Sequence, residues 1–124
     1  MLKNGVDITH IPTFKKIFSK ESRLHRVFND FELEGLKDKS HPYSSLAARF
    51  AIKEAFSKAL GTGLYNQSVY PKDIWIEGTV PKLNVSEKIK IKFPKLSLEN
   101  SSVSLSHHKD YAIAFVILHF NESF

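Results

Sequence analysis

With 124 residues, 42% of them hydrophobic and ten of them Phe, the chain suits one domain over residues 1–124 that buries roughly two-thirds of its unfolded surface. It has no Cys, which excludes disulfides, thiolate metal sites and cysteine nucleophiles; no apolar run approaches the roughly 20 residues of a membrane span, and Met1 to Gly5 holds no apolar signal core, so the cytoplasm is the expected compartment. Lys plus Arg is 18 against 13 for Asp plus Glu, a net charge of +5 that favours an acidic partner: a polyphosphate, an acidic protein or a nucleic acid.

In chain order, Val6-Asp7-Ile8 reads as a short strand. Pro12 fits the first position of a helix, where its missing N–H is not needed. The spacing predicts one basic amphipathic helix from there to about Arg26, with Phe14, Ile17, Phe18 and Leu24 on its apolar side and Lys15, Lys16, Lys20, Arg23 and Arg26 outward. Asn29 followed by Glu32 reads as a capping box for a short helix through Leu36, and 37–42 as a loop. Ser44 or Ser45 caps the main helix. Leu46, Ala47, Phe50, Ala51, Ala55 and Ala59 make it apolar over more than half its circumference, which predicts burial, and Gly61-Thr62-Gly63 ends it. Beyond residue 70 the period becomes two, and 73–77, 82–85, 88–93, 103–107 and 111–120 read as strands, with His108-Lys109-Asp110 as the turn of a final hairpin. The predicted fold class is α+β: N-terminal helices packed on a mostly antiparallel sheet.

Three places carry chemistry. Asp7 is either a strand-end carboxylate bonding its own turn or, beside a Gly5 that leaves room for a ligand, a hard-cation ligand. Glu54 and Lys58 stand one helical turn apart. They are either a surface ion pair of about 0.3–0.5 kcal/mol or, on a helix so apolar, a charged set that needs a metal or an anionic ligand. His107 lies at a strand end, with Ser104 and Ser106 on the other face. It either bonds the backbone there or belongs to a site. His10, His25, His41 and His119 show no zinc spacing, and no phosphate-binding or dinucleotide glycine motif occurs.

These residues also form a pattern. Gly5-Val6-Asp7, then Phe28-Asn29-Asp30-Phe31-Glu32, then Arg49-Phe50-Ala51-Ile52-Lys53-Glu54-Ala55-Phe56-Ser57-Lys58-Ala59-Leu60-Gly61, then Ser104-Leu105-Ser106-His107 before Tyr111-Ala112, resemble in order and spacing the holo-acyl-carrier-protein synthases, the small 4′-phosphopantetheinyl transferases. The resemblance implies transfer of 4′-phosphopantetheine from coenzyme A to a serine of apo acyl carrier protein, in support of fatty acid synthesis. It implies Mg²⁺ held by Asp7 and Glu54, with Lys58 near the pyrophosphate and Arg49, Gly61 and His107 on the coenzyme A side. It further implies a homotrimer with sites at subunit interfaces, so that His107 meets a neighbour's Asp7 and Glu54. In that setting the basic stripe from Lys15 to Arg26 becomes a docking surface for an acidic carrier, and Glu54 or a group near the His107-to-Asp110 turn becomes the base for the serine proton. The sequence departs from the pattern at Lys3, at Thr13, where an arginine is usual, and at Thr79-Val80-Pro81, where Gly-Lys/Arg-Pro is usual.

Two other readings stand beside this one: a non-catalytic module that holds RNA or another polyanion, and a member of the family that binds coenzyme A or carrier without turnover. The first lacks the aromatic-basic strand motif of RNA-recognition domains. The second is disfavoured by the presence of every expected chemical residue.

Overall fold

A computed structural model describes residues 1–36, 40–78 and 80–122. In chain order its elements are β1 (Leu2–His10), α1 (Ile11–Phe18), α2 (Glu21–Val27), α3 (Asp30–Glu34), α4 (Pro42–Leu60), a 3-10 turn (Pro71–Asp73), β2 (Ile74–Glu77), β3 (Lys82–Val85), α5 (Glu87–Lys92), β4 (Leu96–His108) and β5 (Tyr111–Phe120). The architecture is α+β, as expected, but its strands form two antiparallel sheets: β1-β5-β4, and the β2-β3 hairpin. Part of the loop expected at 37–42, and Thr79 of the Thr79-Val80-Pro81 stretch, lie outside the described residues.

Long strands replace two of the short ones expected. β1 pairs along its whole length with β5, from Leu2 opposite His119 to His10 opposite Tyr111, so a stretch that shows little alternation is strand by pairing. β4 begins at Leu96 because it too follows β5; its register shifts between Ser97 and Ser102, where polar residues hide it from a test of apolar alternation. His108 belongs to β4, paired with Tyr111. The hairpin turn is therefore Lys109-Asp110, with Lys109 at φ 52°.

Two of the expected elements fail. Residues 88–93 alternate as Lys-Ile-Lys-Ile-Lys-Phe, yet 87–92 form helix α5. Ile89 and Phe93, four apart, face the core on a helix, whereas Ile91 is left exposed. Ser86 starts that helix: its carbonyl accepts from the N–H groups of Ile89 and Lys90, and its hydroxyl is held by Asp73 at 2.8 Å. The single basic helix expected from Pro12 to Arg26 is two, broken at Ser19-Lys20. In one continuous helix Val27 would stand roughly 140° away from Phe14. The break resets the phase, so that Phe14, Val27 and Phe28 join Leu46 and Ala47 in one apolar cluster.

Helix α4 starts earlier than expected, with Pro42 in its first turn and His41 before it rather than Ser44 or Ser45 as cap. Its end is as the glycines indicate: Gly61 takes φ 88°, its N–H bonds Lys58 O, and Thr62 and Gly63 bond Ser57 O. α4 packs Ala51, Ala55 and Ala59 with Ala114, Val116 and Leu118 of β5, while Ile74, Val85 and Ile89 complete the same core. None of the described helices is long and apolar enough to cross a membrane.

Candidate active site

The site exists because β1 comes very close to α4. A β-carbon on Gly5 would lie 1.9 Å from the carbonyl oxygen of Ala55 and 2.9 Å from the N of Ala59. Only a glycine facing alanines allows backbones to approach so closely. This corrects one sequence expectation: Gly5 makes room for the helix, not for a ligand.

That approach brings Asp7 to Lys58. Asp7 Oδ1 accepts from Lys58 Nζ at 3.1 Å, and Lys58 Nζ also donates to Val6 O at 3.0 Å. Asp7 Oδ2 accepts from Thr9 Oγ1 at 3.0 Å, which fixes the carboxylate's orientation; sequence reading did not single out Thr9. The Asp7 side chain is 16% exposed and that of Lys58 51%, so the pair opens to solvent on the lysine side.

Glu54 is half-buried beside them, and its carboxylate accepts no hydrogen bond among the described residues. Burial first, and then the negative charge of Asp7, push its proton affinity above the ordinary glutamate value, against the pull of Lys58. The i,i+4 ion pair considered from sequence is not formed: Lys58 reaches across to β1 instead. Two carboxylates that repel each other and a cation that closes on only one of them make a corner with one net negative charge. Its donors are hard oxygens, suited to a divalent cation that takes one or two carboxylates and completes its shell with phosphate and water. Among the described residues no third acidic or histidine group joins them, so a cation held there would draw its other ligands from substrate or water.

The other candidates lie apart from this corner. Arg49 is five residues before Glu54, about 140° round the helix. It donates to Ser45 O at 3.3 Å and is held near Glu32, which offsets the lowering of its pKa by burial. Gly61 terminates α4 just beyond Lys58. His107 is exposed on β4, opposite Ala112, whose other neighbour is Thr9 of β1. β5 therefore separates it from Asp7 by roughly 12 Å at ordinary strand spacing. Lys15, Lys16, Lys20, Arg23 and Arg26 are all exposed. Arg23 is occupied, however, with its guanidinium 3.0 Å from Ile17 O across the helix break, and Lys15 lies over the Tyr43 ring at 5.5 Å. At the departure noted for Thr13, its hydroxyl and His10 Nδ1 lie 2.7 Å apart.

A second lysine–carboxylate pair was not foreseen. Lys53 and Glu32 are buried, with Nζ 2.9 Å from Oε1 and 3.2 Å from Oε2. Glu32 does form the capping box expected of it, accepting from Asn29 N at 2.7 Å, but it serves both partners at once. The available signal was a lysine whose helical neighbours at i−1 and i+3, Ile52 and Phe56, are large and apolar.

Residues 4–116 match the model of the 4′-phosphopantetheinyl transferase superfamily. The chain is 35% identical over 121 residues to the holo-[acyl-carrier-protein] synthase of Chloroherpeton thalassium, covering 92% of this chain and 94% of the relative. Its fold superposes on a crystal structure of holo-[acyl-carrier-protein] synthase from Neisseria meningitidis with a TM-score of 0.82 at 28% identity, over 94% of this chain and 97% of that one. It superposes on the Helicobacter pylori enzyme in complex with coenzyme A with a TM-score of 0.77 at 31% identity, over 94% and 99%.

Proposed function

Since the chain belongs to the 4′-phosphopantetheinyl transferase superfamily and, within it, to the holo-[acyl-carrier-protein] synthases, we propose that it performs their reaction at the corner of Asp7, Glu54 and Lys58 with a bound Mg²⁺. It is an enzyme that moves 4′-phosphopantetheine from coenzyme A to apo acyl carrier protein. The observation that carries the site is Glu54: a half-buried carboxylate, without a hydrogen bond among the described residues and repelled by Asp7.

The carrier's serine oxygen attacks the β-phosphorus of coenzyme A. The bond from that phosphorus to the bridging oxygen breaks, and adenosine 3′,5′-bisphosphate leaves. Mg²⁺, when bound by Asp7 and Glu54, supplies charge against the diphosphate oxygens. Lys58 would meet the same oxygens, a role supported by its half-exposed side chain and by its bond to Val6 O, which anchors the ammonium as it turns to a phosphate. Glu54, whose carboxylate accepts no hydrogen bond among the described residues, is assigned as the base for the serine proton. Thr9 holds Asp7 in place.

Arg49, Gly61 and His107 are assigned to coenzyme A. His107 lies across its own sheet from Asp7, so it serves the corner of another copy. The outer face of the β1-β5-β4 sheet supports such an assembly: Val6, Ile8 and Phe115 are 54%, 59% and 40% exposed there, a patch that a monomer would leave wet. That patch supports self-association, and we assign the homotrimer with shared sites that the resemblance implies, working in the cytoplasm. The basic α1–α2 stripe, with Lys16, Lys20 and Arg26 as its freest members, steers the acidic carrier.

The test of the activity is the mass of apo carrier after incubation with coenzyme A, with and without Mg²⁺. A gain of one phosphopantetheine only with the metal supports the reading. No gain, with carrier or coenzyme A still bound, would favour a binding protein. The shared site has its own test. Mixing Glu54→Gln and His107→Ala chains, each inactive alone, restores part of the turnover if the site draws on two subunits; no recovery refutes it.

A further inference from the structure

The two flanks of α4 are held by different forces. Toward β1 the buried contact is Gly5 on Ala55 and Ala59, and the directional bonds are those of the half-exposed Lys58 to Val6 O and Asp7 Oδ1. The close approach fixes how near the helix lies, but a flexible, half-exposed lysine holds only loosely where the helix sits along its axis. Toward α3 the opposite holds. Lys53 Nζ bonds both oxygens of Glu32, Pro71 O at 2.8 Å and Ile74 O at 2.5 Å, and lies 5.2 Å from the centre of the Phe28 ring. Glu32 is itself fixed by the N–H and the side-chain amide of Asn29, and that amide donates to Lys72 O at 2.9 Å. The bonds thus close a loop from α4 to α3 to the 3-10 turn and back to α4.

Stability does not account for such a device, because a buried ion pair replaced by apolar groups of similar volume often leaves a protein equally or more stable. What directional bonds to three elements add is a unique placement. Glu54 is the residue next to Lys53, and its alignment with Asp7 depends on the axial position and rotation of α4. We propose that Glu32 and Lys53 are positioning residues that set the register of α4, and through it the alignment of Glu54 with Asp7. The proposal rests on the reading of Asp7 and Glu54 as metal ligands.

The test uses Glu32→Gln/Lys53→Met, which removes both charges and nearly keeps volume. Three quantities are measured: the urea midpoint, Mn²⁺ affinity in the presence of coenzyme A by electron paramagnetic resonance, and turnover against Mg²⁺ concentration. The expected double variant is folded, binds Mn²⁺ at least tenfold more weakly, and recovers turnover when Mg²⁺ is raised. A folded double variant with the parent's Mn²⁺ affinity overturns the proposal. If it does not fold, Glu32→Asp, which keeps the charge and shortens its reach, is read in the same titration: weaker Mn²⁺ binding supports the proposal and unchanged binding overturns it. Glu54→Gln separates the two layers. If it too binds Mn²⁺ as the parent does, the metal-ligand reading has failed; if it alone loses binding, only the positioning has.

Discussion

Helix α4 carries two lysine–carboxylate pairs five residues apart, Lys53 with Glu32 and Lys58 with Asp7, at 2.9 Å and 3.1 Å. Their geometry is nearly the same and their surroundings are opposite. The side chains of the first are 1% and 3% exposed; those of the second are 51% and 16%. In the buried pair, protein groups meet the ammonium on every side, and burial, the largest influence, lowers the Lys53 pKa while Glu32 pulls it back. In the open pair the lysine leaves Glu54 without a donor among the described residues. Completeness of bonding, not the kind of charge, distinguishes a structural pair from one prepared for a ligand.

The largest effect is expected on the open side. Glu54→Gln keeps shape and removes the anion, so turnover should fall about 10²–10⁴-fold, while the urea midpoint stays level or rises because a repulsion with Asp7 is gone. Near-normal turnover at low Mg²⁺ would break the contrast. On the closed side, Lys53→Met strands the Glu32 charge in the core and should cost about 3–5 kcal/mol in urea unfolding; a loss within error of zero would mean that water reaches the pair. Gly5→Ala probes the seam between them. With Ala55 O 1.9 Å from the new carbon, strand and helix must part, at a cost of about 1–3 kcal/mol, and turnover should fall with it.

The smallest effect is in pH. Because Glu54 holds its proton more tightly folded than unfolded, the folded chain binds more protons just above the ordinary glutamate value. Its contribution therefore favours folding at low pH and is lost as pH rises through the raised value. Asp7→Asn removes the second cause of that shift, so the fall in urea midpoint over this window should become shallower. Glu54→Gln should abolish Glu54's share of it. A slope that neither variant changes would mean that the two carboxylates are not coupled.

Much of this was legible in the residues. The apolar circumference and terminal glycines of α4, the Asn29–Glu32 capping box and the final hairpin each rest on interactions within a few residues, which sequence spacing reports directly. So does the order of chemical residues that the family shares. What spacing misread was decided by partners far along the chain. Alternation in 88–93 suits a strand, but the core has a place for Ile89 and Phe93 on one helical face. The basic helix breaks because an unbroken one would turn Val27 away from Phe14. Lys53 looks like any helical lysine until Glu32, Pro71 and Ile74 close around it. The sequence alone determined which groups can bind a cation and a phosphate, since that is a property of side-chain chemistry. The tertiary structure alone decided that Gly5 lets β1 touch α4, that Lys58 chooses Asp7 over Glu54, and that one lysine is sealed while the other faces solvent. Those outcomes depend on distances between elements that no local pattern encodes.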